Sequence, residues 1–287
     1  MNHSLRIIVP ESLREYEDVQ KLHKTVWGLD DLQVTPLHIL MASQKIGGLV
    51  LCGYIDDQPV GFIHALCGVD PDSRQIYMYS HNLGVIPYLQ GKGIGFQLKL
   101  RQKELALDRG INLIRWTFDP LETRNAHLNL NKLGCIVKEY VVDYWGEMDD
   151  KLNRGLPSDR LIIEWHLQST PNAQTMTIDT NEGTEINPDY NLNQVTFDRS
   201  GFLAPKHSAK PVSYQTDVSY FVSVPTNFQE IRLQNAGLAL EWRMHVRDIL
   251  RDALSHNVTI LRFIRKEHEH GLYELRYRNA SAYLLEQ

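Results

Sequence analysis

The first 168 residues alternate between short apolar runs and segments in which apolar residues recur at helical spacing. Runs rich in β-branched and aromatic residues predict strands, and the helical period predicts helices between them. Ser12 and Glu15 have the spacing of a capping box, which predicts a helix start. The predicted strands cover 5–9, 48–54, 60–66, 76–85, 112–118, 137–148 and 161–167. The first predicted helix starts at residue 12, and the other three cover 36–43, 94–109 and 122–132.

This order, β-α-α-β-β-β-α-β-α-β, predicts an α/β fold because helices alternate with strands along the chain. Two of the strands lie within 48–66 and are joined by Asp56-Asp57-Gln58-Pro59, a polar turn that indicates a hairpin. A hairpin brings antiparallel strands into the sheet. We therefore expect a mixed sheet.

From residue 169 the sequence becomes rich in Thr, Asn, Asp and Pro, and the pattern weakens until about residue 216. We expect 169–216 to be an irregular excursion over the core, because it is too long for a plain loop. The part 217–287 then predicts a strand at 220–224, a helix at 236–255 and a hairpin of 258–264 with 272–277. The chain is thus predicted to have a core, 1–168, and a C-terminal α+β extension, 169–287, packed on that core.

Three arginines repeat at helical spacing within the extension. Arg243, Arg247 and Arg251 recur every four residues and are interleaved with Asp248 and Asp252. Such a stripe is typical of a solvent-exposed helix face held by salt bridges.

The charge balance argues against several classes of partner. The net charge is −5 and the pI about 6.2, so a nucleic-acid backbone is not an expected partner. No apolar run reaches the roughly 18 residues of a membrane span, and no signal-peptide segment is visible at the start. The cysteines, Cys52, Cys67 and Cys135, form no CxxC pair. We expect a cytoplasmic protein that binds neither membrane nor metal, with a homodimer left open.

The stretch Gln90-Gly91-Lys92-Gly93-Ile94-Gly95 joins a predicted strand to a predicted helix. Glycines at a helix start leave backbone N–H groups exposed at the positive end of the helix dipole, where phosphates bind. The spacing is a poor match to Gly-x-Gly-x-x-Gly and to loops that end in Gly-Lys-Ser/Thr. A glycine-rich turn without a ligand is the alternative.

The same stretch fits Gln/Arg-x-x-Gly-x-Gly/Ala and resembles the pyrophosphate loop of the GCN5-related N-acetyltransferase (GNAT) superfamily, which binds acetyl-CoA. The element order of 1–168 is also the order of that superfamily. Phrases such as Thr117-Phe118-Asp119-Pro120-Leu121 and Leu156-Pro157-Ser158-Asp159-Arg160-Leu161 look similar to a subgroup of predicted acetyltransferases without an established substrate. The resemblance implies a GNAT-type mixed, mostly antiparallel sheet flanked by helices, and acetyl-CoA or another acyl-CoA as co-substrate.

The resemblance also implies which residues hold the co-substrate. The pantetheine arm would lie along the main chain of Leu83 and Val85, and the amide of Leu83 would face the thioester oxygen. The side chains of both residues are equally compatible with an ordinary strand in the protein core. The phosphates would lie on Gln90, Gly91, Lys92, Gly93, Ile94 and Gly95.

Two side chains of the 76–85 strand are candidates for proton transfer. Tyr79 stands where histone-type members carry their glutamate base, and His81 matches one of two histidines in arylalkylamine members. An imidazole with a pKa near 6.5 accepts protons at neutral pH, whereas the phenol of Tyr79 is a poor base. A satisfied core histidine is the alternative for His81.

One helix departs from the superfamily pattern. The position of the usual tyrosine acid is Leu130, and the position of the usual first asparagine is Thr123. Leucine cannot donate a proton, but a thiolate is a tolerable leaving group because a thiol has a pKa of about 8.5. Asn125 and Asn129, one turn apart, would bind the pantetheine amides or else form a solvated helix face.

In the superfamily, the two N-terminal helices and their connection line the acceptor site. The resemblance gives Trp27, Asp30, Asp31 and His38 this role, and Asp119, past the end of the 112–118 strand, is expected to face the region where the acceptor enters. Carboxylates beside an indole suit a cationic or aromatic amine. A capping and turn cluster is the alternative for these residues.

The sequence therefore predicts an acyl-CoA-dependent N-acyltransferase that uses acetyl-CoA and a small-molecule amine, by direct attack in a ternary complex. The alternative is a non-catalytic acyl-CoA-binding or regulatory protein on the same fold, because fold alone does not decide function. Leu130 favours the alternative, and His81 with the glycine loop favours the enzyme.

Overall fold

The structure, a computed structural model, describes residues 4–148, 150, 153–168, 186–206, 213–266 and 270–277. The strands are β1 Arg6–Ile8, β2 Leu49–Ile55, β3 Gln58–Val69, β4 Ile76–Val85, β5 Leu113–Phe118, β6 Ile136–Val141, β7 Arg160–His166, β8 Gln194–Phe197, β9 Leu203–Lys206, β10 Ser219–Pro225, β11 Val258–Arg265 and β12 His270–Tyr277. The helices are α1 Leu13–Trp27, α2 Leu37–Lys45, α3 Ile94–Asp108, α4 Thr123–Ala126, the π-helix His127–Lys132, α5 Phe228–Gln234 and α6 Ala236–Ser255.

Seven strands form one mixed sheet in the order β1-β2-β3-β4-β5-β7-β6. The pairs β1/β2, β2/β3, β3/β4 and β6/β7 are antiparallel, and β4/β5 is parallel. Strands β10, β12 and β11 form a separate antiparallel sheet, and β8 pairs with β9. The predicted fold class, a mixed and mostly antiparallel sheet with flanking helices and a further C-terminal α+β part, is confirmed.

The described residues divide into two compact units. The first contains the described residues up to Trp116 together with 150 and 166–168, and the second contains the others. These units do not follow the boundary at residue 168, so the division into a 1–168 core and a 169–287 extension stays a prediction. Among the described residues, none of the helices has both the length and the hydropathy that a membrane crossing requires.

Helix and turn starts in the first unit follow from local chemistry. Ser12 Oγ accepts from Glu15 N–H at 3.4 Å, and the Glu15 carboxylate accepts from Ser12 N–H at 2.9 Å, so the predicted capping box is present. Asp56 and Asp57 have φ of 49° and 58°. Two consecutive residues with positive φ form the hairpin turn whose twist matches that of the strands, which joins β2 to β3.

Helices cover both faces of β3 and β4 in the first unit. A Cβ built on Gly84 would lie 3.2 Å from the side chain of Val26 in α1. A Cβ built on Gly61 would lie 3.1 Å from Leu98 in α3. Because Gly61 pairs with Val85, the neighbour of Gly84, the two glycines face opposite sides of the sheet. One face therefore packs against α1, and the other packs against α3.

The predicted strand 137–148 is wrong in its second half, because β6 ends at Val141. Asp143 has a φ of 51°, which a strand cannot continue through. Its carboxylate accepts from the N–H and the Oγ of Ser158 at 3.1 and 3.2 Å, and Tyr144 N–H donates to Ser158 O at 3.1 Å. A turn closed against Ser158 therefore replaces the rest of the strand.

The predicted helix 122–132 is α-helical only in its first turn. After Ala126 the chain continues as a π-helix, and Leu133 N–H donates to Leu128 O, five residues earlier, at 3.0 Å. A π-helical turn changes the angle between successive side chains. Residue spacing counted as for an α-helix therefore fails in this segment.

The arginine stripe of α6 is not the solvent-exposed face that the sequence indicated. Arg243 is 1% exposed and donates to both oxygens of Asp119, at 2.8 and 2.5 Å. Arg247 donates to both oxygens of Asp159, each at 2.8 Å. Of the three arginines, Arg251 is exposed. The expectation was wrong because the acidic partners of two arginines lie far away in sequence, not on the helix itself.

Candidate functional site

Strand β4 is paired along one edge and largely open along the other. On one side its whole length pairs with β3, whereas its pairing with β5 covers Met78 and Tyr79. Among the described residues, no strand pairs with that second edge from Ser80 to Val85. An open edge presents N–H and C=O groups in a row, which an extended ligand binds as an added strand does.

The hydrogen-bond ladder determines which main-chain groups face this open edge. Ile86 N–H donates to Val60 O of β3 at 3.0 Å, and inward-facing and outward-facing residues alternate along an antiparallel strand. The main-chain groups of Leu83 and Val85 therefore point away from β3. In agreement with this, Val85 O accepts a hydrogen bond from Gln90 Nε2 at 3.0 Å. Leu83 and Val85 thus turn their main chain to the open edge.

The glycine loop connects β4 to α3 and is open on its outer side. Gly91 and Gly93 have φ of 78° and 84°, and a Cβ on either would meet no atom within 4 Å. Gly93 is the N-cap of α3, so no side chain caps the first N–H groups, and the first turn contains no acidic residue. Gln90 and Lys92 are exposed beside them. Free N–H groups at the positive end of a helix of 15 residues favour an anion.

His81 is the extra residue of a β-bulge. Ser80 pairs with Ala65 and Asn82 with His64, so two residues of β4 span one step of β3. The ring of His81 lies 6.2 Å from that of Tyr79 and 5.6 Å from that of His64, between ring centroids. Tyr79 and His81 therefore share one face of the sheet. Bulges re-aim side chains and are frequent beside active sites.

Two more histidines and a tryptophan belong to the same aromatic group. His64 is 1% exposed and His23 of α1 is 0% exposed, and the His23 ring lies 4.4 Å from Phe62 and 5.7 Å from Trp27. Burial, and secondarily the neighbouring imidazoles, lower the pKa of His23 to about 3 and that of His64 to about 4. Burial also lowers the pKa of His81. All three imidazoles are therefore neutral at pH 7.

The predicted acceptor carboxylates make local contacts after α1. Asp30 Oδ1 accepts from the N–H groups two and three residues further on, at 2.9 and 3.1 Å. Asp31 forms an ion pair with Lys24, and His38 is exposed on α2. The capping and turn cluster accounts for these contacts of the two carboxylates, and their role toward an acceptor stays a prediction.

Asp119, the remaining acceptor candidate, lies in the second unit and is buried. Its carboxylate accepts two bonds from Arg243 and one from Leu121 N–H at 2.8 Å, and Arg160 Nη1 lies 3.7 Å away. The carboxylate therefore already has three donors, all from the same unit.

The candidates for the pantetheine amides do not share one surface. Asn125 is exposed in α4, whereas Asn129 is 3% exposed in the π-helix. Leu130, at the position where the resemblance expects a tyrosine, is 0% exposed. The alternative of a solvated face formed by both asparagines is wrong, because the π-helix turns Asn129 inward.

Sequence reasoning did not single out His64 or Ser43. His64 interrupts an otherwise apolar strand, and a buried polar side chain at such a position is the signal that was available. In the parts of the chain that the structure describes, no group of three or more His, Cys, Asp or Glu side chains is placed to hold a metal ion.

No protein-family model matches the chain, and no curated protein matches it. Several solved structures resemble part of it. Arabidopsis thaliana Naa50, in complex with a bisubstrate analogue, is 16% identical over 56% of this chain and 97% of its own, with a TM-score of 0.44. The ribosomal-protein-S18-alanine N-acetyltransferase from Escherichia coli is 14% identical over 59% of this chain and 98% of its own, with a TM-score of 0.44. A GNAT-family acetyltransferase from Streptococcus pneumoniae is 14% identical over 56% and 98%, with a TM-score of 0.45. At these values no residue role is taken from them.

Proposed function

We propose that this protein is an acyl-CoA-dependent N-acyltransferase that transfers an acetyl group from acetyl-CoA to a small-molecule amine. The observation that carries the proposal is the continuity of the open edge of β4 with the glycine loop. Leu83 and Val85 turn main-chain groups to the edge, and the uncapped N-terminus of α3 follows within the same unit. One ladder and one helix therefore fix the two binding elements relative to each other.

These two elements suit the two ends of an acyl-CoA. The amides of a pantetheine arm extend a ladder at Leu83 and Val85, as an added strand does. A pyrophosphate requires N–H donors and positive charge, which the start of α3 and the exposed Lys92 supply. The open space above Gly91 and Gly93 leaves the backbone accessible to phosphate oxygens.

His81 supplies the base in this proposal. The amine nitrogen forms a bond to the thioester carbon, the carbon–sulfur bond breaks, and one proton leaves the nitrogen. His81 accepts that proton, since burial lowers its pKa and keeps the imidazole neutral at pH 7. The sulfur leaves as a thiolate, which a thiol pKa of about 8.5 permits without an acid. The Leu83 N–H supports the oxygen on which charge develops.

A second function, acyl-CoA binding without catalysis, is favoured by one observation. Leu130 fills the position at which the resemblance expects a tyrosine acid, and it is fully buried. A binding protein needs the open edge and the glycine loop but no proton transfer. The two functions therefore share affinity for CoA and differ in turnover.

Charge reversal at Lys92 tests the binding site. Lys92→Glu places a carboxylate beside the proposed pyrophosphate and does not touch the core, because Lys92 is exposed. We expect the affinity for CoA, measured by isothermal titration calorimetry, to fall about tenfold or more, about 1.4 kcal/mol. A substitution at Gly93 is a poorer test, because its φ of 84° strains any other residue.

Lys45→Glu is the matched control, since Lys45 is exposed on α2 and the change in net charge is the same. Its affinity for CoA should stay within about twofold of the wild type. Equal weakening by both variants, or a wild type that does not bind CoA, contradicts the site. Amine-dependent release of CoA thiol from acetyl-CoA, measured over a panel of aromatic and aliphatic amines, separates the enzyme from the binding protein.

A further inference from the structure

The hydroxyl of Ser43 determines which nitrogen of His64 carries a proton. Ser43 Oγ lies 2.6 Å from Ile39 O and 2.9 Å from His64 Nε2. A hydroxyl has one proton, and a carbonyl oxygen can only accept. The Ser43 proton therefore goes to Ile39 O, and Ser43 Oγ accepts from His64. The neutral imidazole of His64 must then carry its hydrogen on Nε2.

This assignment leaves a lone pair on Nδ1 of His64. The atom is buried and has no hydrogen-bond partner among the residues that the structure describes, and its side chain is 1% exposed. A buried acceptor without a donor costs about 1–3 kcal/mol, so such atoms are normally paired with protein or water. The ring next to it on the same face is His81, nearly perpendicular at 86° with 5.6 Å between the centroids.

We infer that Ser43 and His64 position His81: the Nδ1 lone pair of His64 accepts a hydrogen bond that comes from the His81 side chain through one water molecule. That bond selects one tautomer of His81 and stabilises its imidazolium once the amine proton has arrived. The proton stays on His81 and is not transferred to His64. The inference rests on the proposed function only for the origin of this proton.

The surroundings of His64 suit a fixed acceptor rather than a second base. Burial, with a secondary contribution from His81, lowers its pKa to about 4, so it stays neutral at working pH. The titratable groups on this face include His23 of α1, Cys52 of β2, which pairs with Phe62, and Tyr79 and His81 of β4, while Asp18 of α1 accepts from Tyr54 at 3.1 Å. His64 is therefore able to hold His81 without competing for its proton.

Nuclear magnetic resonance of the imidazoles tests the inference without an acceptor amine. In the full-length wild type, nitrogen shifts should show His64 as the Nε2–H tautomer, and Ser43→Ala should reduce that preference. His64→Leu removes the acceptor at similar volume and should lower the proton affinity of His81 about tenfold. His64→Gln retains a donor toward Ser43 and an acceptor, so the titration of His81 should return most of the way to the wild type.

Two results would overturn the inference. One is a wild-type His64 protonated on Nδ1, and the other is a His81 titration that His64→Leu leaves unchanged in a variant with native dispersion of the spectrum. A merely structural role predicts equal loss of stability in both His64 variants and no rescue of the His81 titration by Gln. Failure of the proposed function is a different outcome, because it would show as absent CoA binding or turnover while these titrations still responded.

Discussion

Two buried polar regions of the protein are satisfied in opposite ways. The histidine face, made of His23, His64 and His81 in the first unit, contains imidazoles that are neutral at pH 7, and three of its buried nitrogens have no hydrogen-bond partner among the described residues. The arginine cluster in the second unit pairs Arg243 with Asp119 and Arg247 with Asp159 through four hydrogen bonds. Within this cluster, Arg243 Nε is buried and has no hydrogen-bond partner in the described structure.

Charge explains the difference. An ionised group cannot remain buried without a partner, whereas a neutral imidazole can at a smaller cost. Burial opposes ionisation of Asp159, but hydrogen bonds from Arg247, Tyr140 and the Asp143 N–H lower its pKa overall. Burial alone would lower the pKa of Arg243, yet the adjacent Asp119 raises it. The arginine cluster is thus committed to structure, and the histidine face retains capacity to bind a donor.

Removal of the tail should produce the largest effect, because it takes away both arginines of the cluster and leaves Asp119 and Asp159 without them. Within the second unit, Asn131 exchanges two hydrogen bonds with the main chain of Phe263, at 2.7 and 2.9 Å, and Tyr273 Oη donates to Pro120 O at 2.7 Å. A fragment that ends at residue 168 leaves Asn131 and Pro120 O without these bonds, and it leaves Asp119 without its two hydrogen bonds from Arg243. We expect an insoluble or aggregated fragment by size-exclusion chromatography. A soluble monomer with a cooperative melt would show that the cluster does not hold the second unit together.

Arg243→Met isolates the central pair of the cluster. Loss of the guanidinium leaves the buried Asp119 carboxylate with one hydrogen bond, from Leu121 N–H, while Arg160 at 3.7 Å is beyond hydrogen-bond distance. We expect the free energy of unfolding in urea to fall by about 3–5 kcal/mol. Arg251→Met, on the exposed part of the same helix, should change it by less than about 0.5 kcal/mol.

The double variant Arg243→Met/Asp119→Leu sharpens that result. Replacement of both members of a buried ion pair by apolar side chains is often near neutral, whereas removal of one member is costly. The double variant should therefore recover most of the stability lost in Arg243→Met. If it is as unstable as the single variant, lost packing rather than an unpaired carboxylate is the cause.

Local signals predicted much of the fold, and long-range pairing limited the rest. The capping box of Ser12 and Glu15 and the helix 236–255 depend on neighbouring residues, and both are present as predicted. Arg243 was placed on the wrong side of its helix, because its partner Asp119 lies 124 positions earlier. The π-helix after Ala126 depends on i→i−5 bonds, for which apolar periodicity gives no separate signal.

In the candidate site, too, some features are predicted by the local sequence and others depend on long-range pairing. The glycine loop follows from its own sequence, because positive φ and an uncapped helix start require those residues. The bulge at His81 depends on the register between β3 and β4, which the sequence does not state. The contact between His81 and His64 depends on how β4 pairs with β3. The sequence alone therefore showed His64 as no more than an isolated polar residue in an apolar run.

His23→Leu tests whether the histidine face is neutral in the folded protein. Both nitrogens of His23 are buried without a hydrogen-bond partner in the described part of the chain, so the free energy of unfolding at pH 7 should change by no more than about 1 kcal/mol, in contrast to Arg243→Met. The folded pKa, about 3, lies below the unfolded value of about 6.5. Below pH 6.5 the unfolded chain therefore binds a proton that the folded protein does not. The free energy of unfolding then decreases as the pH is lowered from about 6.5 to about 3. Between pH 7 and pH 5 the wild type should lose about 2 kcal/mol of unfolding free energy through this residue, and His23→Leu should not.

His38→Leu, at an exposed position of α2, should keep the wild-type pH dependence of the unfolding free energy in urea titrations at the two pH values. If His23→Leu kept it as well, His23 would be protonated in the folded state, and the histidine face would hold charge as the arginine cluster does.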